Sequence, residues 1–140
     1  YKYARRQWNL VDNKDLCYHW LGDFDREMLK TIKSVRNFQD KPVVEIWHDD
    51  GDQVLCFMRG DLVFVFNFSP TRSYTDYGFL VPTGSYEVVL NTDSKDFGGN
   101  GFADDNMTHL TNYDPLYVKD HKEWLKLYIP ARSAVVLKKV

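Results

Sequence analysis

The amino-acid sequence predicts a mainly β protein, an antiparallel Greek-key-like β-sandwich preceded by an N-terminal helical segment. Three observations predict this fold: a strongly apolar run at residues 62–68, a change to two-residue periodicity after Pro42, and a helical stripe of apolar side chains before Pro42. Strands linked by hairpins, with no helical pattern between them, are typical of a sandwich. The patterns account for six or seven strands.

An amphipathic helix is predicted after Asn13, where Asp12 and Asn13 supply an N-cap. Its length is about five to six turns, although Gly22 could dent or split it. A stripe of Trp, Phe and Leu this heavy must pack on a partner, and that partner could lie outside this chain. The stripe repeats every three or four residues: Leu16, Trp20, Phe24, Met28, Ile32 and Val35.

The central strand is predicted at residues 62–68, which are apolar with one exception. Alternate side chains from Leu62 to Phe68 form one face, and Val63 and Val65 form the other, so both faces are expected to be covered. Burying each large apolar side chain contributes about 1.5–3 kcal/mol, which makes this strand the expected seed of the core.

A hairpin joins this strand to the preceding strand-like segment, residues 53–59, through a tight turn at Gly60-Asp61. Pro70 ends the central strand because proline donates no ladder hydrogen bond. Residues 69–80 and 92–123 are predicted to be loops. The two-residue periodicity predicts four further strands: 43–47, 86–91, 124–129 and 134–137.

Charge divides the chain into two predicted domains. Residues 1–41 carry a net charge of +3 and residues 42–140 a net charge of −5, which indicates a helical segment at 1–41 and an all-β domain at 42–140. No clustered basic face is apparent, so neither nucleic acid nor an anionic membrane is an expected partner. The lack of an initiator methionine before Tyr1 predicts that the chain is part of a longer protein.

The cysteines and apolar runs predict a cytoplasmic protein. Cys17 and Cys56 form neither a metal-ligand spacing nor a disulfide framework, which favours a reducing compartment. No apolar run approaches the roughly 20 residues of a membrane-spanning helix, and no signal peptide is evident.

No metal or cofactor site is predicted. Asp49, Asp50 and Asp52 around Gly51 could bind calcium, but they lack the 12-residue spacing and final glutamate of the helical calcium motif. The glycine-rich segment 98–101 lacks the strand, the Lys-Ser/Thr pair and the helix of a phosphate loop. The histidines share no zinc-ligand spacing with the cysteines.

Five short motifs carry a family resemblance. In chain order they are YKYARRQW at 1–8, FDR at 24–26, FNFSP with SYTDY at 66–70 and 73–77, NTDS with FGG at 91–94 and 97–99, and YIPAR at 128–132. Together they resemble the C-terminal region of 1,4-α-glucan branching enzymes of the alpha-amylase superfamily, and the resemblance covers nearly the whole chain. It does not extend to the basic residue and histidine that often follow the double glycine, because residues 102–105 read Phe-Ala-Asp-Asp here.

The resemblance implies that the chain contains parts of two domains of a larger enzyme. Residues 1 to about 40 would be the last helical part of a catalytic (β/α)₈ barrel, and the remainder would be the alpha-amylase C-terminal all-β domain. The whole enzyme would cleave an α-1,4 bond with two carboxyl groups at barrel strand ends and transfer the chain to a 6-hydroxyl. Those strands are not in this chain, so no catalytic residue is assigned and the chain alone is expected to be inactive. Its implied partners are α-glucan and its own barrel.

Aromatic rings are the predicted glucan contacts, because sugar C–H faces stack on Trp and Tyr rings. Tyr74, Tyr77, Trp124 and Trp47 are the leading candidates, and Tyr113 and Tyr117 are weaker ones. Two alternatives remain open: an autonomous carbohydrate-binding β-sandwich module, for which two or more rings should line one exposed face, and the C-terminal domain of another alpha-amylase-family enzyme. Packing and ion pairs between helix, barrel and sandwich are expected of Arg5, Arg6, Asp12, Phe24 and Arg26.

Overall fold

The computed structural model describes residues 7–113 and 122–140. Two helices, α1 at Asn9–Asp12 and α2 at Tyr18–Lys33, precede the strands. The described strands are β1 Val43–Asp49, β2 Val54–Arg59, β3 Leu62–Asn67, β4 Tyr74–Phe79, β5 Ser85–Asn91, β6 Thr108–Leu110, β7 Asn112–Tyr113, β8 Glu123–Ile129 and β9 Ser133–Lys139. Short 3₁₀ turns lie at Phe38–Asp40 and Lys95–Phe97.

The strands form two antiparallel sheets, which confirms the predicted mainly β fold. The larger sheet has the order β1-β2-β3-β9-β5-β6 and the smaller one has the order β4-β8-β7. Strand β9 inserts between β3 and β5, so neighbours in the sheet are distant in sequence. The predicted count of six or seven strands is wrong, because the described residues contain nine.

The core lies between the two sheets. Val63 and Val65 of β3 are buried and face Leu125 and Leu127 of β8, as the predicted alternation requires. The hairpin prediction is also confirmed, since Arg59 pairs with Leu62 across a two-residue turn. The first residue of that turn, Gly60, adopts φ +65°, a conformation that favours glycine.

The other face of the larger sheet is only partly covered. Leu62, Leu90 and Val136 form a second apolar cluster there, against which Phe24 and Met28 of α2 pack. The helical stripe therefore finds a partner within this chain. Further along the same face, Phe66 stacks on Phe68, whose side chain is 60% exposed. The prediction that both faces of residues 62–68 are covered is thus wrong at Phe68, which directly follows β3.

Helix α2 differs from its predicted start. It begins at Tyr18 with Cys17 as the N-cap, whereas Asn13 accepts a hydrogen bond from the backbone N–H of Asp15 in a separate turn. Gly22 neither splits nor ends the helix. Its missing side chain instead leaves room for α1, because a Cβ there would lie 3.2 Å from Val11.

Two predicted loops contain strands. Strand β4 lies within residues 69–80, where a bulge between Tyr74 and Tyr77 and a positive φ at Asp76 interrupt the two-residue alternation. Strands β6 and β7 lie within residues 92–123 and are only three and two residues long. Neither feature produces the periodicity by which strands are predicted.

Buried Asn67 connects β3 to the smaller sheet. Its side-chain amide donates to the backbone carbonyls of Arg72, Ile129 and Pro130, and its side-chain oxygen accepts from the N–H of Ser69. These bonds explain a polar residue at the end of an apolar strand. They also fix the segment that leads into β4.

Candidate functional site

Three of the four leading aromatic candidates meet where the edge strands β1 and β4 approach each other. The indole N–H of Trp47 donates to the hydroxyl of Tyr77 at 3.2 Å, and that hydroxyl donates to the Asp52 carboxylate at 3.1 Å. The hydroxyl of Tyr74 donates to the backbone carbonyl of Asp52 at 3.0 Å. We call Trp47, Asp52, Tyr74 and Tyr77 the tyrosine–tryptophan cluster.

Local sequence explains how this cluster forms. A bulge in β1 places Trp47 opposite Cys56, at the rim of the sandwich. In the β1–β2 turn, the Asp49 carboxylate accepts the N–H of Asp52 at 2.8 Å and holds Asp52 towards β4. The bulge in β4 brings both tyrosines to the same aspartate, with ring centroids 5.3 Å apart.

Arg72 completes the electrostatics of the cluster. Its guanidinium lies 3.6 Å from the Asp52 carboxylate, donates to the Gly51 carbonyl, and sits 5.7 Å from the ring centre of Tyr74. Burial raises the pKa of the Tyr77 phenol, the Trp47 hydrogen bond lowers it, and Asp52 raises it again. Burial is also the main cause of the raised pKa of Tyr74. Both phenols stay protonated at neutral pH.

The exposed part of the cluster is the indole of Trp47, whose side chain is 44% exposed, while both tyrosines are half-buried. The polar atoms of Tyr77 and Asp52 already have partners within the protein. The cluster therefore offers a ring face to a ligand but few free hydrogen-bonding groups.

The fourth candidate, Trp124, lies apart from this cluster. It belongs to β8 and packs on the backbone of β4, since a Cβ at Gly78 would lie 3.3 Å from its ring. Gly78 and Tyr77 are adjacent in β4 and therefore face opposite sides of the smaller sheet, so Trp124 and Tyr77 lie on opposite faces. The buried indole nitrogen of Trp124 has no hydrogen-bond partner among the described residues.

The remaining predicted residues are dispersed. Tyr113 is exposed in β7, and Arg26 pairs with Asp23 on the surface of α2 at 2.6 Å. Phe24 packs edge-on against Phe97 with ring centroids 5.4 Å apart, and Asp12 is exposed at the end of α1. Arg5, Arg6 and Tyr117 lie outside the described residues.

A cleft of about 370 Å³, which the sequence did not predict, opens between β5, β6 and β8. We call it the β5–β8 cleft. Its volume is within the range of small-molecule pockets. Val88, Leu127 and Val135 form its apolar floor, and the segment from Phe102 to Met107 forms one wall.

The wall of the cleft is held in place by Asp93. This side chain is only 6% exposed, and its carboxylate accepts backbone N–H bonds from Asn100 at 3.1 Å, Phe102 at 2.6 Å and Ala103 at 3.3 Å. A Cβ on Gly99 would lie 2.2 Å from the Asp93 backbone, so the loop requires glycine there. The NTDS and FGG motifs thus build this wall.

His109 contributes a titrating group to the cleft. Burial lowers the pKa of its imidazole, and the nearby Asp104 carboxylate partly opposes that shift. The ring is therefore neutral at pH 7 and retains one donor and one acceptor nitrogen. Among residues 7–113 and 122–140, no three His, Cys, Asp or Glu side chains are grouped to hold a metal ion.

Comparison with known proteins now places the chain in a family. Residues 45–140 match the family model described as the alpha amylase, C-terminal all-beta domain. The chain belongs to this family. Both sheets described above, from within β1 to the end of β9, lie inside the matched region of this alpha-amylase C-terminal all-beta domain.

Curated relatives extend the similarity into the helical segment. The chain is 40% identical over 138 residues to a 1,4-alpha-glucan-branching enzyme of Saccharomyces cerevisiae, which covers 98% of this chain and 19% of that protein. It is 40% identical over 141 residues to the same enzyme of Dictyostelium discoideum, covering 99% of the chain and 20% of the relative. For the enzyme of Equus caballus the identity is 34% over 142 residues, with 100% and 20% covered.

The chain spans about a fifth of the length of the curated relatives it matches. In the part of the chain that the structure describes, no helix is long and apolar enough to cross a membrane.

Proposed function

We propose that this chain is the C-terminal all-β domain of a 1,4-α-glucan branching enzyme, which would cleave α-1,4 bonds in glucan and transfer the released chain to form α-1,6 branches during glycogen biosynthesis. The observation that carries this proposal is the alignment of nearly the whole chain with branching enzymes at 34–41% identity. The family alone would allow other alpha-amylase-type enzymes. The relatives named above favour branching chemistry.

The chain itself would be non-catalytic and would stabilise the catalytic barrel. We assign residues 1–41 to the end of that barrel and residues 42–140 to the β domain, consistent with a family match that begins at residue 45. Helix α2 packs one face on the larger sheet and leaves Tyr18, Leu21 and Leu29 exposed on others. Those exposed side chains are the proposed contacts with the barrel, because large apolar surfaces favour burial.

Glucan is the proposed partner of the aromatic rings. Trp47 would stack on a sugar through its exposed face, with Tyr74 and Tyr77 holding it in place, and Trp124 would provide a separate contact on β8. A cytoplasmic location is part of this proposal, and it agrees with the free state of Cys17 and Cys56. The alternative, an autonomous carbohydrate-binding module, has less support, because Trp47 is the exposed ring of the cluster and both tyrosines are half-buried.

A chimera tests the proposal. The aligned segment of the S. cerevisiae relative would be replaced by this chain, and branching would be followed by the loss of iodine absorbance of an amylose solution. We expect the chimera to branch amylose and a variant lacking the segment to be unstable or inactive. Full activity of the deletion variant would contradict a supporting role, and a folded but inactive chimera would contradict the assignment to branching enzymes.

A matched control separates folding from function. Leu125 is fully buried between the sheets, so Leu125→Asp should unfold the β domain. A chimera with this substitution should lose activity together with thermal stability. Retained activity would show that the folded domain is not needed.

A further inference from the structure

We propose that the β5–β8 cleft is a binding site for a glucosyl unit of an α-glucan chain, distinct from the tyrosine–tryptophan cluster. The inference rests on the proposed function for the identity of the ligand. Its location rests on the geometry of the cleft.

The lining of the cleft provides an apolar surface for the C–H groups of a pyranose ring. Val88 and Leu127 provide an apolar floor, and the rings of Phe102 and Tyr128 flank the opening. Phe102 is 65% exposed, so its face is available at the rim. Sugar C–H groups pack against such faces because an aromatic face carries partial negative charge.

Polar groups from different strands surround this apolar surface. Asp76 of β4, Lys126 of β8 and His109 of β6 line the cleft together with Asp104 on the wall. Carboxylates accept hydrogen bonds, an ammonium group donates them, and a neutral imidazole does both. A polyhydroxyl ligand, in which each hydroxyl donates and accepts, matches this mixture.

Two other classes of ligand, anions and metal ions, are disfavoured in the cleft. The carboxylates of Asp76, Asp104 and Asp105 outnumber the single ammonium group of Lys126, so an anion would be repelled. A metal ion is disfavoured because no three His, Cys, Asp or Glu side chains of the described residues are grouped to hold one. A neutral ligand is not repelled by the carboxylates and does not need a group of metal ligands.

The cleft is also preorganised. Three backbone N–H groups of the wall are bound to the buried Asp93 carboxylate, and the Asn91 side chain joins that aspartate to Asp105 through hydrogen bonds at both ends. On the far side, Gly98 lies against Trp20 of α2, where a Cβ would be only 2.4 Å from the indole. A wall fixed from both sides loses little conformational freedom when a ligand binds.

Isothermal titration of the 140-residue chain with maltoheptaose tests the proposal. Phe102→Ala removes the ring at the cleft mouth and should weaken binding by about two- to tenfold, the fold-change that corresponds to the free energy of one aromatic contact. Phe68→Ala is the matched control, because Phe68 is a similarly exposed phenylalanine directly after β3 and does not line the cleft. Its affinity should change by less than about twofold.

Asp104→Ala provides a second, independent variant at an exposed position of the same wall. It should also weaken maltoheptaose binding, with an unchanged far-ultraviolet circular dichroism spectrum. Equal binding by Phe102→Ala, Phe68→Ala and the unsubstituted chain would overturn the proposal. The absence of binding at millimolar maltoheptaose would also overturn the proposal. So would binding of spermidine, a polyamine cation, instead of maltoheptaose.

The chimera separates this inference from the proposed function. If the chimera branches amylose but the isolated chain binds no maltoheptaose, the cleft proposal fails while the assignment to branching enzymes stands. If the chimera is folded and inactive, the assignment fails, and maltoheptaose binding would then identify the chain as a carbohydrate-binding module.

Discussion

The tyrosine–tryptophan cluster and the β5–β8 cleft show two different uses of polar and aromatic side chains. In the cluster, Tyr77, Trp47 and Asp52 bind one another, so hydrogen bonds that could hold a ligand stabilise the protein instead. In the cleft, the supporting bonds come from Asp93 behind the wall, and groups such as His109 line an open volume. Exposed rings alone therefore do not define a binding site; the cleft differs because its polar side chains surround an open volume.

The largest expected effect is loss of the aspartate behind the wall. Asp93→Ala leaves three backbone N–H groups without their acceptor, so we expect the free energy of unfolding to fall by about 3 kcal/mol. Urea denaturation measures the change. Asp96→Ala, at an exposed site in the same loop, is the control. Equal stability of the two variants would mean that Asp93 does not hold the wall.

Gly99→Ala should have a somewhat smaller effect on the same wall. A Cβ there overlaps the Asp93 backbone at 2.2 Å, and relieving such overlap costs about 1–3 kcal/mol. The loss should appear in the thermal midpoint and in maltoheptaose binding. Gly51→Ala in the exposed β1–β2 turn is the matched control, since its nearest atom, at 3.2 Å, belongs to a side chain. A neutral Gly99→Ala would contradict the packing described for the loop.

In the tyrosine–tryptophan cluster we expect a modest structural effect. Tyr77→Phe removes the hydroxyl that links Trp47 to Asp52 and should lower the free energy of unfolding by about 1 kcal/mol. Tyr113→Phe, which alters an exposed tyrosine in β7, should change it by less than about 0.5 kcal/mol. If both variants unfold alike in urea, the internal hydrogen bonds of the cluster contribute nothing to stability.

The smallest effect concerns pH. Because the pKa of His109 is lowered in the folded chain, the unfolded chain takes up the proton first as pH falls below 6.5, so this residue reduces stability on the acid side. His109→Gln should make that decline less steep. His48 near the cluster has the opposite sign, since Glu45 raises its pKa and its contribution is lost as pH rises through that value. The measurement is the thermal midpoint between pH 5 and pH 8 of the unsubstituted chain and of a variant at each histidine. Identical pH profiles would show that protonation of neither histidine is coupled to folding.

Local sequence patterns predicted those elements that are determined by residues close together in the sequence. The β2–β3 hairpin and the apolar stripe of α2 were recognisable because alternation and three-to-four-residue spacing are properties of one segment. Strand β4 was not, since its bulge and the positive φ of Asp76 depend on pairing with β8. Strands as short as β7 are defined by their partners alone.

The cleft was beyond prediction for a related reason. Its lining comes from Asp76 to Val135, and only the sheet order brings these positions together. The motif at residues 91–99 was visible in sequence, but its role in holding a wall depends on hydrogen bonds to residues 100–103. Trp47, Tyr74 and Tyr77 stay predicted glucan contacts, and the hydrogen bonds that join them through Tyr77 and Asp52 could not be foreseen from the sequence.

Residue-resolved nuclear magnetic resonance during a maltoheptaose titration tests the central contrast most directly. We expect the amide shifts of the cleft residues to saturate at lower sugar concentration than those of Trp47, Asp52 and Tyr77; the cleft residues are Phe102, Ala103, Asp104 and His109. Shifts confined to the tyrosine–tryptophan cluster, with the cleft amides unmoved at saturating sugar, would contradict it.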